Sequence, residues 1–250
     1  MGNNRIFVDA TASTNNYALD LLKNSHPPEG TIVWTKNQTH GRGQRNNQWF
    51  SEPGKNLTFS VIFYPDFLPV EQQFWLTIAI SLGVSDWLQS ELDKFGKEQL
   101  KIKWPNDVYF GNKKMGGMLI ENNVRRSQLY ETVCGIGINV NQTDFDSGLK
   151  NTSSLKLITK KEYSLEQLLD KLCKSLEARH LQLKAQNRSL LKSDYLNQLY
   201  LFEKKSMFII KGKKLNAKII GITDIGKLVL ENASADIFEC GMNDVVFLHN

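Results

Sequence analysis

The sequence predicts an α+β protein: a β-rich body with long helices and a small barrel-like β unit at the C-terminal end. Three observations predict it. Apolar residues recur at helical spacing between Val70 and Leu92, β-prone runs fill 31–36, 57–64 and much of 100–141, and five short β runs crowd the stretch beyond Leu199. The expected division is a body at 1–198 and a β unit at 199–250.

In "STNNYALDLLKN", Ser13 and Thr14 can cap a helix whose Ala18, Leu21 and Leu22 share one face. "TIVWTK" and "LTFSVIFY" read as strands, joined by the loop "NQTHGRGQRNNQWF" and "SEPGKN". Phe74, Ile78, Leu82 and Leu88 then mark a long helix over Val70–Leu92, buried against a sheet. "KIKWPNDVYF" turns at Trp104-Pro105, because proline excludes its predecessor from the helical region. Gly111-Asn112 has hairpin chemistry between "DVYF" and "KKMGGMLIEN", and "YETVCGIGINVN" is a further strand. "SLEQ" at Ser164 has the capping-box pattern and opens a helix through "LLDKLCKSLEARHLQL". The runs "MFIIKG", "LNAKIIGI", "KLVLEN", "DIFEC" and "DVVFLHN", separated by "TDIG" and "GMND", complete the small β unit.

A chain of 250 residues with 41% hydrophobic and 23% charged content is expected to be soluble and globular. Its 31 basic against 26 acidic residues give +5, which favours anionic partners such as nucleotides or an acidic protein surface. No basic run is long enough for a nucleic-acid arm. Cys134, Cys173 and Cys240 are odd in number and in no metal-ligand spacing, which points to a reducing, cytoplasmic setting. "MGNNRIFVDA" lacks the pattern of a signal peptide, and "FWLTIAISLGVSDWL" carries Asp86 and is too short to span a bilayer, so no membrane association is expected.

Four segments hold candidate chemistry. In "GRGQRNNQW", Gly41 and Gly43 let backbone approach a ligand, and Arg42 and Arg45 can pair with phosphate or carboxylate oxygens; a solvated turn would look the same. "KWPND" projects a cation, Lys103, an amide, Asn106, and a carboxylate, Asp107, from one rigid corner. That set suits phosphate, sugar and hydrated Mg²⁺, although an ordinary Pro-Asn-Asp turn is an equal reading. "KKMGG" and "GIGIN" set glycines into strands, marking either a bulge or a ligand lying close to the sheet. "GIGINV" is no dinucleotide fingerprint, since a third glycine is missing and no helix pattern follows. Cys134, in an apolar strand with no base nearby in sequence, reads as a structural thiol rather than an acyl-transfer nucleophile.

Taken in order, "STNNYA", "NQTHGRGQRNNQW", "KWPNDVYF", "KKMGGMLIE" and "GIGINVN" resemble the successive motifs of biotin protein ligases. The resemblance spans Ser13 to about Asn141 and extends to the C-terminal β unit, which matches that family's SH3-like domain. It implies a class II synthetase-like catalytic fold, a mixed β-sheet backed by helices, followed by the small barrel. It also implies ATP-dependent activation of biotin and transfer of the biotinyl group to a lysine of a biotin carboxyl carrier protein, a subunit of acetyl-CoA carboxylase or another biotin-dependent carboxylase.

On that resemblance Ser13, Thr14, Asn15 and Gln38 hold the biotin ring, Arg42, Gly43 and Gln44 line biotin and the adenylate phosphate, and Lys114 contacts carboxylate and phosphate beside Gly117. Trp49, Lys103, Asn106, Asp107 and Asn139 fall at the ATP end with Arg42 and Gln44, with Asp107 as candidate Mg²⁺ ligand. Arg42, Lys103 and Lys114 are the expected catalytic cations, and the glycine-rich loop is an expected lid with Trp49 as anchor. Gln44, Asn46 and Asn47 stand where the family commonly has Arg, Gly and a basic residue; Arg45 supplies part of the missing field, and adenylation is expected to persist. Ser13 lies too near the start for a preceding helix-turn-helix, so a short form without DNA binding is expected. A lipoate ligase and a non-catalytic binding module are the alternatives, and a homodimer is compatible with the family.

Overall fold

The structure is a computed structural model and describes residues 1–95, 99–149 and 151–248. The body opens with β1 (Arg5–Thr11), α1 (Thr14–Asn24) and β2 (Ile32–Gln38). A β-ribbon of β3 (Gly41–Arg42) and β4 (Gln48–Trp49) precedes β5 (Leu57–Phe63) and α2 (Phe74–Leu92). Next come β6 (Leu100–Lys103), β7 (Asp107–Phe110), β8 (Lys113–Arg125) and β9 (Gln128–Ile138), then α3 (Leu155–Thr159), α4 (Leu165–Lys184) and α5 (Arg188–Gln198). The C-terminal unit holds β10 (Lys205–Ile210), β11 (Lys213–Ile222), β12 (Leu228–Asn232), β13 (Ile237–Cys240) and β14 (Val245–Phe247).

Seven strands form the main sheet in the order β1-β2-β5-β9-β8-β7-β6. Only β1 and β2 run parallel, with α1 as their crossover; the other pairs are antiparallel. The sheet is therefore mixed, as expected. Strand β5 is buried at every position because both of its faces are covered, which is why it reads as an apolar run rather than an alternation. Leu57, Phe59, Val61 and Phe63 join the large core under α2 and α4, while Ile62 packs with Ala18, Leu22, Val33 and Val133 beneath α1. Thr58 and Ser60 share the α1 face, and that face carries the site.

The expected helix over Val70–Leu92 begins as a 3₁₀ turn at Val70–Gln72 and becomes α-helical only at Phe74. Ser164 caps α4 through Gln167 N (3.4 Å), as the capping box requires. Sequence patterning missed β1, α3 and α5. Strand β1 is an outer strand with its side chains largely in solvent, so it lacks a clean alternation, and α5 buries only Leu191 and Tyr195.

Strands β10–β14 form a five-stranded antiparallel sheet ordered β13-β12-β11-β10-β14, of the extent expected for an SH3-like unit. His249 and Asn250, the end of the fifth predicted run, lie outside the described residues. The apolar face of this sheet, including Phe208, Ile219, Leu230 and Val245, belongs to the same continuous core as the body. Trp104 fastens the two together by donating its indole N–H to the Gly226 carbonyl (2.9 Å). No helix among the described residues is long and apolar enough to cross a membrane.

Candidate active site

Strand register builds the floor of a cavity from small side chains. Across the sheet, Thr58 pairs with Gly137, Gly137 with Gly117, Gly117 with Asp107, and Asp107 with Lys103. One step along the same face, Ser60 pairs with Gly135, and Gly135 with Leu119. The two rows stand about 7 Å apart, two residues of strand rise. Missing side chains leave room above them, and a cavity of about 350 Å³ opens there.

Over the Ser60 row sits the N-terminus of α1. Ser13 caps it, its hydroxyl accepting from Asn16 N (3.5 Å). Thr14 N donates to Gln38 Oε1 (2.9 Å), with Thr14 Oγ1 3.3 Å from the same oxygen, and the Ser60 hydroxyl lies 2.7 Å from Thr14 Oγ1 and 2.6 Å from Asn15 Oδ1. Ser13, Thr14 and Asn15 are each 3% exposed, so this polar cluster is both desolvated and ordered. Gly135 is what admits it: a Cβ there would stand 2.3 Å from Asn15 Oδ1.

Cations and one carboxylate gather at the other row. Lys114 Nζ is 2.7 Å from Asp107 Oδ1 and 6.0 Å from the Trp49 ring centre. Lys114 and Gly117 are three residues apart and would face opposite sides of a regular strand. The register shift between Val108 and Tyr109 in the β7–β8 pairing is a bulge that turns Lys114 back to the cavity. Lys103 Nζ lies over Tyr109 (5.1 Å) and Phe247 (5.0 Å). Burial lowers its pKa from the ordinary lysine value to about 8, with Asp107 opposing and Lys114 reinforcing the shift.

The glycine-rich loop closes the side. Gly43 N donates to Asn47 O (2.7 Å), Arg45 takes a left-handed backbone (φ 55°), and Trp49 lies directly on Gly137, whose Cβ would meet the indole at 2.4 Å. Arg42 reaches Glu121 Oε2 at 2.5 Å. The side chain of Asn46 lies outside the described residues.

Of the residues singled out from sequence, Ser13, Thr14, Asn15, Gln38, Arg42, Gly43, Gln44, Trp49, Lys103, Asn106, Asp107, Lys114 and Gly117 all line this one cavity. Asn139 does not. It is 2% exposed and gives its side-chain amide to the Ser153 carbonyl (3.0 Å), bracing the 151–153 segment behind the wall. Asn106 lines the cavity, yet its own amide donates to the Met118 carbonyl, so it also pins the turn to β8. Sequence reading missed Ser60 and Glu121, which hold Asn15 and Arg42 from behind the lining, and the wall from β14, Val245 to Phe247. Ser60 carried a usable signal, since with Thr58 it places hydroxyls at alternate positions within an apolar run; the β14 wall carried none.

Asp107 keeps one carboxylate oxygen beyond the one held by Lys114. A hydrated Mg²⁺ takes one or two protein carboxylates plus phosphate oxygens, so this corner fits it. Among the described residues no group of three or more His, Cys, Asp or Glu side chains could form an all-protein metal cage.

Residues 7–139 match the profile of the Biotin/lipoate A/B protein ligase family. The chain is 30% identical over 241 residues to the bifunctional ligase/repressor BirA of Bacillus spizizenii, covering 92% of this chain and 70% of that one. It is 27% identical to the biotin–[acetyl-CoA-carboxylase] ligase of Mycobacterium tuberculosis, over 90% of this chain and 82% of the relative. Its fold is similar to that of a biotin protein ligase from Aquifex aeolicus in complex with biotin and ATP (TM-score 0.81, 25% identity, 99% of this chain and 100% of that one). With the motifs gathered on one cavity and the profile match running through them, the chain belongs to the biotin/lipoate protein ligase family.

Proposed function

We propose that this chain activates biotin with ATP to biotinyl-5'-AMP and transfers the biotinyl group to a lysine of a biotin carboxyl carrier protein. The observation that carries the reading is the division of one cavity between a neutral polar cluster, built on Thr14, Asn15 and Gln38, and a cationic corner, Lys103 and Lys114. A cyclic urea suits the first and a carboxylate meeting a phosphate suits the second. The Mycobacterium tuberculosis relative, named for acetyl-CoA carboxylase, supports that enzyme's carrier as the partner.

The chemistry follows from charge. A carboxylate is a poor acyl donor, so its oxygen must attack the α-phosphorus of ATP, with pyrophosphate leaving. Arg42, Lys103 and Lys114 offset the repulsion between the two anions and the charge that develops at phosphorus. Mg²⁺ held at Asp107 would supply further charge neutralisation at the phosphates. The carrier lysine then attacks the acyl carbon and AMP leaves, so the chain needs no nucleophile of its own. Trp49, seated on Gly137, anchors the loop that shields the anhydride from water.

Within this reading residues 1–198 form the catalytic unit and 199–250 a small β unit that lends its last strand to the cavity wall. All three cysteines are buried free thiols, which fits a reducing cytoplasm. A homodimer through a sheet edge would use β1 or β6, the outer strands of the main sheet.

The direct test is ATP–pyrophosphate exchange with Mg²⁺ in parallel with biotin, lipoate and no acid. Exchange with biotin alone is expected; exchange with lipoate alone would move the chain to the other branch of its family, and none with either would remove the enzyme reading. Cys134→Ala is expected to leave exchange within about twofold, at a stability change of about 1 kcal/mol. The thiol is fully buried between Val61 and Ile120, and burial pushes its pKa up, which disarms it as a nucleophile. Loss of exchange in that variant would overturn the assignment.

Lys103 also gives a pH signature. Its proton leaves the free protein near pH 8, so kcat/KM for ATP is expected to fall as pH rises through about 8. Lys103→Gln should abolish that limb as well as lowering the rate. For stability the sign is opposite: between about 8 and the ordinary value of 10.5 the unfolded chain binds the extra proton, so this lysine's contribution improves as pH rises across that window.

A further inference from the structure

We infer that Glu121 is a positioning residue that sets the hydrogen-bond polarity of the ring-binding end of the cavity and ties the glycine-rich loop to it; this rests on the biotin reading above. One carboxylate oxygen, Oε2, accepts from both Asn15 Nδ2 (2.7 Å) and Arg42 Nη2 (2.5 Å). Three elements, α1, β3 and β8, meet at that atom.

The consequence for Asn15 comes from counting its protons. Its amide nitrogen has two, and both are used, one on Glu121 and one on the Leu119 carbonyl (3.1 Å). Its Oδ1 accepts from Ser60 and keeps one lone pair. Both neighbours of the nitrogen are pure acceptors, so the flipped amide would press Oδ1 against a carboxylate and a carbonyl. Glu121 thus forces Asn15 to offer an acceptor to a ligand, never a donor. An acceptor suits the N–H of a cyclic urea and gives nothing to the dithiolane ring of lipoate, so Glu121 contributes to the choice between these acids.

For Arg42 the ion pair is a tether. Glu121 is 28% exposed and Arg42 41%, so the pair stands at the rim, where it fixes the loop's position rather than the stability of the fold. A single side chain therefore coordinates the ring pocket and the loop over it.

The test compares Glu121→Ala, Glu121→Gln and the parent chain in biotin-dependent pyrophosphate exchange and in limited tryptic cleavage after Arg42. Glu121→Ala is expected to raise KM for biotin about tenfold with kcat within about threefold, since a hydrogen bond to a charged acceptor is lost behind the binding group. Glu121→Gln keeps a carbonyl acceptor for Asn15 but no charge for Arg42. It is expected to restore KM to within about threefold while leaving cleavage as fast as in Glu121→Ala, and faster than in the parent. A KM unmoved in Glu121→Ala overturns the positioning role, and cleavage unchanged in both variants overturns the tether. Cleavage is read without biotin, so a parent chain inactive with biotin would remove the functional reading and leave the tether measurable.

Discussion

Lys114→Met is expected to lower biotin-dependent ATP–pyrophosphate exchange by about 10²–10³-fold, the usual cost of removing one preorganised electrostatic contact from a charge-developing transition state. The side chain is the only thing lost. The Lys114 backbone is clamped independently, its N–H donating to Asn151 O (2.7 Å) and its carbonyl accepting from Ser153 N (2.9 Å). Methionine keeps the length and the contact with Trp49. The ion pair with Asp107 is partly solvated on both sides, so its removal should change stability by about 1 kcal/mol or less. Exchange kinetics and thermal unfolding on the same preparation separate the two effects. A near-normal rate with unchanged stability would mean that Lys103 and Arg42 carry the phosphate charge without Lys114.

Much of this was readable in the sequence, for physical reasons that can be named. Helix α2 declared itself because its length and apolarity match burial under a sheet, and the five C-terminal strands because turn chemistry separates them. The motif residues of the cavity were legible because each has a residue type that its loop alone does not require. Glu121 was not, because a carboxylate near the end of a strand reads as solvent-facing until Asn15 and Arg42, 106 and 79 residues away, are brought to it. Phe247 was hidden for the same reason: nothing local says that the last strand of a separate β unit folds back over Lys103. Asn139, a polar residue beside a glycine motif, lies behind the cavity wall and gives its amide to a buried backbone carbonyl, a partner that no local pattern announces. Sequence carries residue type and spacing; it does not carry the partner.

Gly135→Ala is expected to lower kcat/KM for biotin by about 10²-fold, because a displacement of about 1 Å in a binding group costs that much. The added methyl would arrive 2.3 Å from Asn15 Oδ1 and 2.9 Å from its Cγ, and Gly135 is held between Ser60 and Leu119 by pairing on both sides. The strand cannot yield, so Asn15 must, and it leaves the Ser60, Leu119 and Glu121 contacts together. A stability loss of about 1–3 kcal/mol accompanies this as overpacking. Gly137→Ala is the control, since its methyl meets the Trp49 indole at 2.4 Å and not Asn15. That variant should free the loop to tryptic cleavage and leave the affinity for biotin less affected, so two glycines one alternation apart on β9 should fail in different ways. If biotin titrations and loop cleavage cannot tell the two variants apart, the division of the cavity into a ring-holding row and a loop-anchoring row is wrong, whatever the overall loss of activity.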